Sequence, residues 1–345
     1  MILLKHKILK SIALRRTKKG RAADIYNSLP QKIVQLRQDI FDIDEKNYYR
    51  SLYNISRLQF YQYVADKSVL NNFMHIIQLL TRIRQVADHP YIDIYSQAVC
   101  NLDINERTCD ICLDVAEDPV VTSCQHVFCK DCFIYYSEAL GEDSCPKQNK
   151  KASMKRTERS SFPSRIPLKE LKPSTKMLAL RDEINKMIQR DKSAKGVVLS
   201  QFTSFLELIG YFLFNSGIHY VPHVGQMTLA TSNSAIETFN RGDCKIFLVS
   251  FKAGAAVLKL IKASHVFLMD PWWNPTQELQ AVDLIRRIGQ KEQVRVISFI
   301  IKDTIEEKIL MLQEINQLVF EGNPGGSPKD MGRLTENELT YLFLL

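Results

Sequence analysis

The sequence predicts an α/β protein in which helices cover both faces of a parallel sheet, preceded by a helical region and a small zinc finger. Three observations lead to this prediction. Between about residues 174 and 320, short apolar runs alternate with amphipathic stretches, as strands and helices do in a parallel sheet. Before residue 98, apolar residues recur at helical spacing. Six of the eight cysteines lie between Cys109 and Cys145.

The composition is that of a globular chain with unevenly placed charge. Of 345 residues, 45% are hydrophobic and 24% are charged. No apolar run reaches the roughly 18 residues of a membrane-spanning helix, so no membrane partner is expected. Residues 1–21 hold eight Lys or Arg and no Asp or Glu, and residues 147–172 hold nine against two. Such segments suit nucleic-acid phosphates or a nuclear-import signal, or they are a solvated tail and linker.

The region before the cysteines is predicted to be mainly helical. A strand or extended segment is expected around residues 33–36, after Pro30. Helices are expected over residues 45–87, with a break near Asn71. The aromatic residues of these helices recur at a spacing that favours a core stripe.

Residues 109–148 carry metal-ligand side chains at short spacing. The order is Cys109-x2-Cys112, then Cys124-x-His126-x2-Cys129-x2-Cys132, then Cys145-Pro146. Thiolates and imidazoles are the natural tetrahedral ligands of zinc, and a short spacing puts two ligands on one turn. Because the basic N-terminus lacks the features of a secretory signal, metal binding is favoured over disulfides. The pattern predicts at least one zinc ion.

The second half of the chain is predicted to build the sheet. Strands are expected at 197–202, 219–223, 245–251, 264–269 and 294–301, and helices at 174–190, 203–216, 232–240 and 304–320. A further helix follows Pro275, and another begins near Leu334. Ligands of parallel sheets bind beyond the carboxyl ends of the strands. The predicted site therefore comprises the loops 200–204, 251–256, 270–275 and 286–290.

These motifs, in this order, resemble the C-terminal half of Swi/Snf-type helicase-like ATPases, in particular the RING-bearing translocases of yeast nucleotide excision repair. The residues that carry the resemblance are Leu14–Lys18, Leu29-Pro30, Thr81–Gln85, Asp88–Pro90, the cysteine-rich module, Ser174–Lys176, Ser200–Thr203, Val249–Gly254, Asp270–Pro275, Arg287–Gln290, Asp303–Glu307 and Leu334-Thr335. The resemblance implies five parts. These are a helical remnant of the first lobe and its protrusion (1–98), a RING finger (105–150), a basic linker (151–172), a RecA-like C-terminal lobe (173–325) and a brace helix (326–345).

The resemblance also implies the zinc ligands. A first site would use Cys109, Cys112, Cys129 and Cys132, and a second would use Cys124, His126 and Cys145. Gln148 stands where the family has the fourth cysteine of the second site, and an amide is a poor zinc ligand. That site is expected to be weak, to be completed by water, or to use a nearby group such as Asp143. Ile111 and Pro146 match the positions that contact a ubiquitin-conjugating enzyme.

The resemblance further implies an ATP-driven activity on double-stranded DNA in the nucleus. Arg287 would face the transferred phosphate, with Gly254 and Gln290 lining the same cleft. Contacts with the DNA backbone are implied for Ser200, Gln201, Lys252 and Trp273. The implied partners are duplex DNA, a ubiquitin-conjugating enzyme and a protein that recognises DNA damage.

The sequence also departs from the family pattern. It contains no GxxxxGK[ST] or DExH motif, so the first lobe, which holds the nucleotide phosphates and magnesium, is expected to be absent and the chain alone is expected not to hydrolyse ATP. Family residues are replaced by Ser232, Ala255, Lys259, Leu284 and Arg286. Three hypotheses stay open: a portion of a DNA-repair translocase, a zinc-dependent ubiquitin ligase or adaptor that docks on DNA, and an inactive remnant.

Overall fold

The computed structural model describes residues 30–98, 108–114, 116, 119–122, 124, 126–130, 132–134, 136, 152–154, 171–223, 229–251, 260–273, 278–279, 282, 285–286, 290, 292–322 and 334–344. The strands are β1 (Lys32–Asp39), β2 (Pro119–Thr122), β3 (Val127–Cys129), β4 (Ala152–Met154), β5 (Gly196–Ser200), β6 (Tyr220–His223), β7 (Ile246–Ser250), β8 (His265–Leu268) and β9 (Val294–Ile301). The helices are α1 (Ile43–Ala65), α2 (Phe73–Asp88), α3 (Pro90–Ala98), α4 (Thr175–Arg190), α5 (Thr203–Asn215), α6 (Leu229–Arg241), α7 (Ile305–Gly322) and α8 (Glu336–Phe343).

Six parallel strands form the main sheet, in the order β1-β9-β8-β5-β7-β6. The inner strands β5, β7 and β8 are buried along their whole length because both faces of the sheet are covered, whereas the edge strand β1 is polar and partly exposed. In the central strand β5, Val198 packs with residues of α4 and α5, whereas Val197 and Leu199 pack with Phe239 of α6 on the other face. The predicted α/β architecture is confirmed.

One of the two edge strands of this sheet, β1, comes from the region before the cysteines. The strand predicted near residues 33–36 extends over Lys32–Asp39 and pairs in parallel with β9, from Lys32 opposite Val294 to Asp39 opposite Ile301. The sequence predicted this strand but assigned it to the helical region instead of the main sheet. The reason is that the periodicity of a strand does not show which other strand it pairs with. The other boundaries of the five parts stay predictions.

Helix α2 lies at the centre of a second core. All ten of its residues from Leu79 to Asp88 except Arg82 are buried. Its apolar side chains share one cluster with residues of α1, α7, α8, the cysteine-rich module and Trp273. The break before α2 lies at Asn72, close to the predicted position. A helix buried on so many sides carries polar groups only where they have partners, and these partners define the site described below.

A smaller antiparallel sheet, in the order β3-β2-β4, joins two strands of the cysteine-rich region to β4, which lies in the segment predicted as the basic linker. Among the helices that the structure describes, none combines the length and apolar character needed to cross a membrane.

Candidate nucleic-acid interface and zinc site

The loops that follow β5 and β8 lie side by side at the carboxyl edge of the main sheet. These strands are parallel neighbours, so their carboxyl ends meet. The Asp270 carboxylate accepts hydrogen bonds from the backbone N–H of Gln201, with oxygen–nitrogen distances of 2.9 and 3.2 Å. Asp270 is buried, and burial raises the pKa of its carboxyl group although Arg84 and Lys176 act against the rise. The two loops are thus joined through one carboxylate.

Arg84 of α2 holds the loop after β8 from the opposite side. Its side chain is buried, and a terminal nitrogen donates to the Pro271 carbonyl at 2.9 Å and lies 3.6 Å from an Asp270 oxygen. The guanidinium carbon lies 4.6–5.3 Å from the centres of three aromatic rings, those of Phe202, Trp272 and Trp273. Stacking of a guanidinium on aromatic faces is favourable, above all when water is excluded.

Lys176 of α4 forms a second buried ionic contact beside Arg84. Its Nζ donates to Asp88 Oδ1 at 2.8 Å, to the Met269 carbonyl at 2.7 Å and to Glu306 Oε1. Burial acts to lower the pKa of Lys176, but the two carboxylates outweigh it and the pKa is raised. The lysine therefore stays charged and ties α2, α4, α7 and the end of β8 together.

The four sulfur atoms of the predicted first zinc site converge. Cys109, Cys112, Cys129 and Cys132 place their Sγ atoms within 4.8 Å of one another. The Sγ atoms of Cys112 and Cys129 are 3.7 Å apart. In a tetrahedral site with Zn–S bonds of about 2.3 Å, neighbouring sulfur atoms are about 3.8 Å apart. These four thiols therefore fit a structural zinc ion, and the expectation of a zinc cofactor is confirmed. Their assignment as its ligands stays a prediction.

Family models match both parts of the chain. A model described as a helicase conserved C-terminal domain matches residues 175–289, and one described as a zinc finger of C3HC4 type (RING finger) matches residues 108–147. The chain carries a helicase C-terminal domain and a RING finger. The part of the chain that carries the main sheet is called the helicase lobe below.

Similar proteins cover nearly all of the chain. It is 38% identical over 357 residues to the ATP-dependent helicase rhp16 of Schizosaccharomyces pombe, covering 98% of this chain and 41% of the relative. It is 33% identical over 378 residues to the DNA repair protein RAD5B of Arabidopsis thaliana, covering 97% of this chain and 29% of the relative. These identities confirm the predicted resemblance to RING-bearing helicases, and the chain belongs to the family of these two proteins. It spans less than half the length of these relatives.

Solved structures share the fold. The C-terminal part of the Fun30 ATPase domain has a TM-score of 0.57 at 20% identity, with coverage of 91% of this chain and 96% of that one. The Sulfolobus solfataricus SWI2/SNF2 ATPase core in complex with double-stranded DNA has a TM-score of 0.55 at 19% identity, with coverage of 97% and 55%. The predicted RecA-like lobe is therefore confirmed.

The structure brings together three of the four residues predicted to contact DNA. Ser200, Gln201 and Trp273 lie at the carboxyl edge, and Lys252 lies outside the described residues. Ser200 and Trp273 are 0% and 1% exposed; Ser200 Oγ accepts from the Phe202 backbone N–H, and Trp273 packs in the core. Gln201 is 7% exposed, and its Nε2 has no hydrogen-bond partner within the described part of the chain. The contact of these residues with DNA stays a prediction.

Of the predicted nucleotide-binding residues, the structure describes only Gln290. Its Nε2 donates to the Ala263 carbonyl at 2.8 Å, and its Oε1 accepts from the Glu292 backbone N–H at 3.0 Å. Gln290 therefore fixes the loop that leads into β9. Arg287 and Gly254 lie outside the described residues, and their roles stay predictions.

The remaining zinc-finger residues are described in part. Cys124 Sγ and His126 Nδ1, predicted for the second zinc, are 3.1 Å apart. Cys145, Pro146, Asp143 and Gln148 lie outside the described residues, so the second site stays a prediction. Ile111 is 4% exposed and belongs to the cluster that contains α2. Its contact with a ubiquitin-conjugating enzyme stays a prediction, and in this conformation its side chain packs in the core.

The sequence analysis assigned no role to Arg84, Lys176 or Asp114. Asp114 lies in the loop that follows the first cysteine pair. A signal existed for Arg84 and Asp88, because they are four residues apart on the apolar stripe of α2, where charged residues are buried only with partners. No comparable signal marks Asp114, since its partners, Thr203 and Ser204, lie 89 and 90 residues later in the chain.

Proposed function

We propose that this chain is the C-terminal portion of an ATP-driven translocase that acts on double-stranded DNA in nuclear DNA repair, within nucleotide excision repair. The observation that carries the proposal is the carboxyl edge of the helicase lobe. There Asp270 joins the two loops, and the amide nitrogen of the largely buried Gln201 has no partner among the described residues. The names of the similar proteins, an ATP-dependent helicase and a DNA repair protein, support it.

In this proposal the lobe supplies an arginine and a DNA-contacting edge to a site that another ATPase lobe completes. Arg287 faces the phosphate that is transferred, beside Gly254 and Gln290. A guanidinium held at a transferring phosphate stabilises its developing charge and can be worth roughly a thousandfold or more in rate. ATP and magnesium are held by the other lobe, whether that lobe precedes these residues in a longer chain or belongs to a partner.

The ATPase part of the proposal is tested with and without a first lobe. The purified chain with duplex DNA is expected to show no turnover above background, and addition or fusion of a first lobe is expected to produce DNA-stimulated hydrolysis. Arg287→Ala should then lower kcat by roughly a thousandfold. The control is Arg295→Ala, which removes an arginine near the start of β9, at the amino ends of the strands and away from the carboxyl edge. Turnover by the chain alone, or an equal effect of both variants, would overturn the proposal.

The DNA part is tested by titrating the chain with a short duplex and following fluorescence anisotropy. Gln201→Ala is expected to weaken binding several-fold, because an amide donor at the carboxyl edge is lost. Gln293→Ala is the matched control, since it removes the same side-chain amide from an exposed position at the opposite edge. Equal affinities of the two variants would count against contact through Gln201.

Zinc-dependent ubiquitin ligase or adaptor activity is a second candidate function. It is favoured by the RING match and by the convergent thiols of Cys109, Cys112, Cys129 and Cys132. A ubiquitin-conjugating enzyme would be the partner, contacted through Ile111 and Pro146. Autoubiquitination should disappear in both Cys109→Ser and Pro146→Ala. Cys109→Ser should also lose zinc, whereas Pro146→Ala should keep its zinc. Activity that survives loss of zinc would exclude this function.

The remaining parts of the proposal concern location and partners. The basic segments 1–21 and 147–172 support import into the nucleus and attraction to DNA. A protein that recognises DNA damage would bring the translocase to its substrate. Deletion of residues 1–21 from a fluorescent fusion is expected to reduce its nuclear fraction, and an unchanged fraction would assign import to another segment.

A further inference from the structure

The first turn of α5 receives its cap from the RING finger. Phe202 occupies the N-cap position and provides no side-chain hydrogen bond. The buried carboxylate of Asp114 accepts from the backbone N–H groups of Thr203 and Ser204, with oxygen–nitrogen distances of 2.7 and 3.4 Å. A helix begins with N–H groups that have no partner within the helix, and a carboxylate satisfies them while complementing the helix dipole.

The loop that carries Asp114 is held in place at several points. The backbone N–H of Cys109 donates to the Asp114 carbonyl at 2.8 Å, which closes the loop. Gln85 of α2 donates through Nε2 to the Cys112 carbonyl at 3.0 Å, and Gln78 of α2 donates to the Asp110 carbonyl. The loop between the first two cysteines is therefore fixed on α2 as well as on α5.

Leu113, between Cys112 and Asp114, has a backbone φ of 57°. A leucine keeps this left-handed conformation only where its surroundings hold it. The unusual turn directs the following residue, Asp114, to the start of α5. The position of the Asp114 carboxylate is thus set by the zinc loop and by α2 together.

Four consecutive backbone N–H groups lead from β5 into α5, and all four donate to side chains. Gln201 donates to Asp270, and Phe202 donates to Ser200 Oγ at 3.1 Å. Thr203 and Ser204 donate to Asp114. The segment is therefore held at one end by the loop after β8 and at the other end by the RING finger. Gln201, whose side-chain amide nitrogen is unpartnered among the described residues, lies within this segment.

We infer that Asp114 is a positioning residue for DNA binding: by capping α5 it orients Gln201. The first loop of the RING finger thereby contributes to DNA binding by the helicase lobe. This inference rests on the proposed contact of the carboxyl edge with DNA. A cap of this kind requires an acceptor oxygen, which Asn provides as well as Asp, and the two residue types are about equally good as N-caps. Zinc bound by Cys109 and Cys112 would fix the loop at two points that precede Asp114.

The test compares Asp114→Ala with Asp114→Asn in the full zinc-loaded chain. Both variants lose the charge, but only Asp114→Asn keeps an acceptor. Hydrogen exchange of the amides at 203–206 is measured together with the affinity for a short duplex at several salt concentrations. Asp114→Ala is expected to speed exchange about tenfold and to weaken DNA binding several-fold, because the Gln201 amide is no longer held in place. The salt slope should stay the same, because that amide is uncharged. Asp114→Asn should resemble the wild type in both, and the zinc content of both variants should be unchanged.

The outcomes separate this inference from the proposed function. Unchanged exchange in Asp114→Ala, or equal defects in both variants, would overturn the role of the cap. Faster exchange without any loss of DNA affinity would leave the cap in place and overturn its role in positioning Gln201. A wild-type chain that does not bind duplex DNA would overturn the proposed function itself. If Asp114→Ala does not fold, Gln85→Ala, which loosens the loop from α2, should raise exchange at 203–206, and unchanged exchange there would overturn the inference.

Discussion

Replacement of Lys176 by methionine tests whether the buried ionic contact ties the helicase lobe to α2. Methionine is similar in length but removes the cation from Asp88 and Glu306, which are both buried. Two charge-assisted hydrogen bonds and one to the Met269 carbonyl are lost. Removing one partner of a buried ion pair typically costs about 3–5 kcal/mol, because the other charge stays buried without compensation. We expect a loss of this size in the free energy of unfolding.

The assay is urea unfolding in the presence of zinc, and the control is Lys186→Met in the same helix. Lys186 Nζ also lies 2.8 Å from a carboxylate, that of Glu183, but its side chain is 52% exposed. An exposed pair contributes about 0–1 kcal/mol.

Burial raises the pKa of Asp88 and Glu306, and loss of Lys176 raises both further. Stability of Lys176→Met should therefore fall as pH rises, so its deficit is larger at pH 8 than at pH 5. Equal losses in the two variants would refute the reasoning.

Three further predictions concern the same region. Arg84→Ala should shift the fluorescence emission to longer wavelength, because water reaches Trp272 and Trp273, the two tryptophans of the chain; an unshifted spectrum would contradict the stack. Burial raises the pKa of Glu278 from 4.5 to about 7, so its contribution to stability is present below pH 4.5 and is lost as pH rises through 7. Glu278→Gln should remove up to about 3 kcal/mol of that pH dependence in urea unfolding between pH 4.5 and 8, and an unchanged slope would argue against burial of this carboxyl. Cys112→Ser should lose one zinc ion per chain by metal analysis; full retention would exclude the four-thiol site.

The strands of the helicase lobe could be predicted to within about two residues, because each is a continuous apolar run bounded by polar residues. The run at 294–301 has the same limits in the structure, and that at 197–202 is shifted by one or two residues. β1 was predicted as a strand but not as a member of the sheet. Pairing is decided by which edge is free when the chain has folded, and no local pattern records it.

The candidate site was predictable where it depends on residue spacing. The cysteine spacing predicted at least one zinc ion, since ligand spacing is a local property, and the resemblance to RING fingers implied which four thiols converge. Asp114 and Arg84 were not predicted as site residues, because their partners are distant in sequence and the same residue types are ordinarily solvated. Arg287 came from the resemblance alone and stays a prediction.

The position of β1 at the edge of the sheet has a consequence for the order in which the chain folds. Among the described strands of the sheet, β1 is synthesised first, yet its partner β9 is made last. Its backbone hydrogen bonds must wait until β9 has emerged, and contacts between such distant segments form slowly. Until then β1 presents a row of unpaired backbone groups to which another chain can pair. A shortened chain that starts at the lobe's predicted boundary, residue 173, lacks β1 and would leave the edge of β9 open permanently.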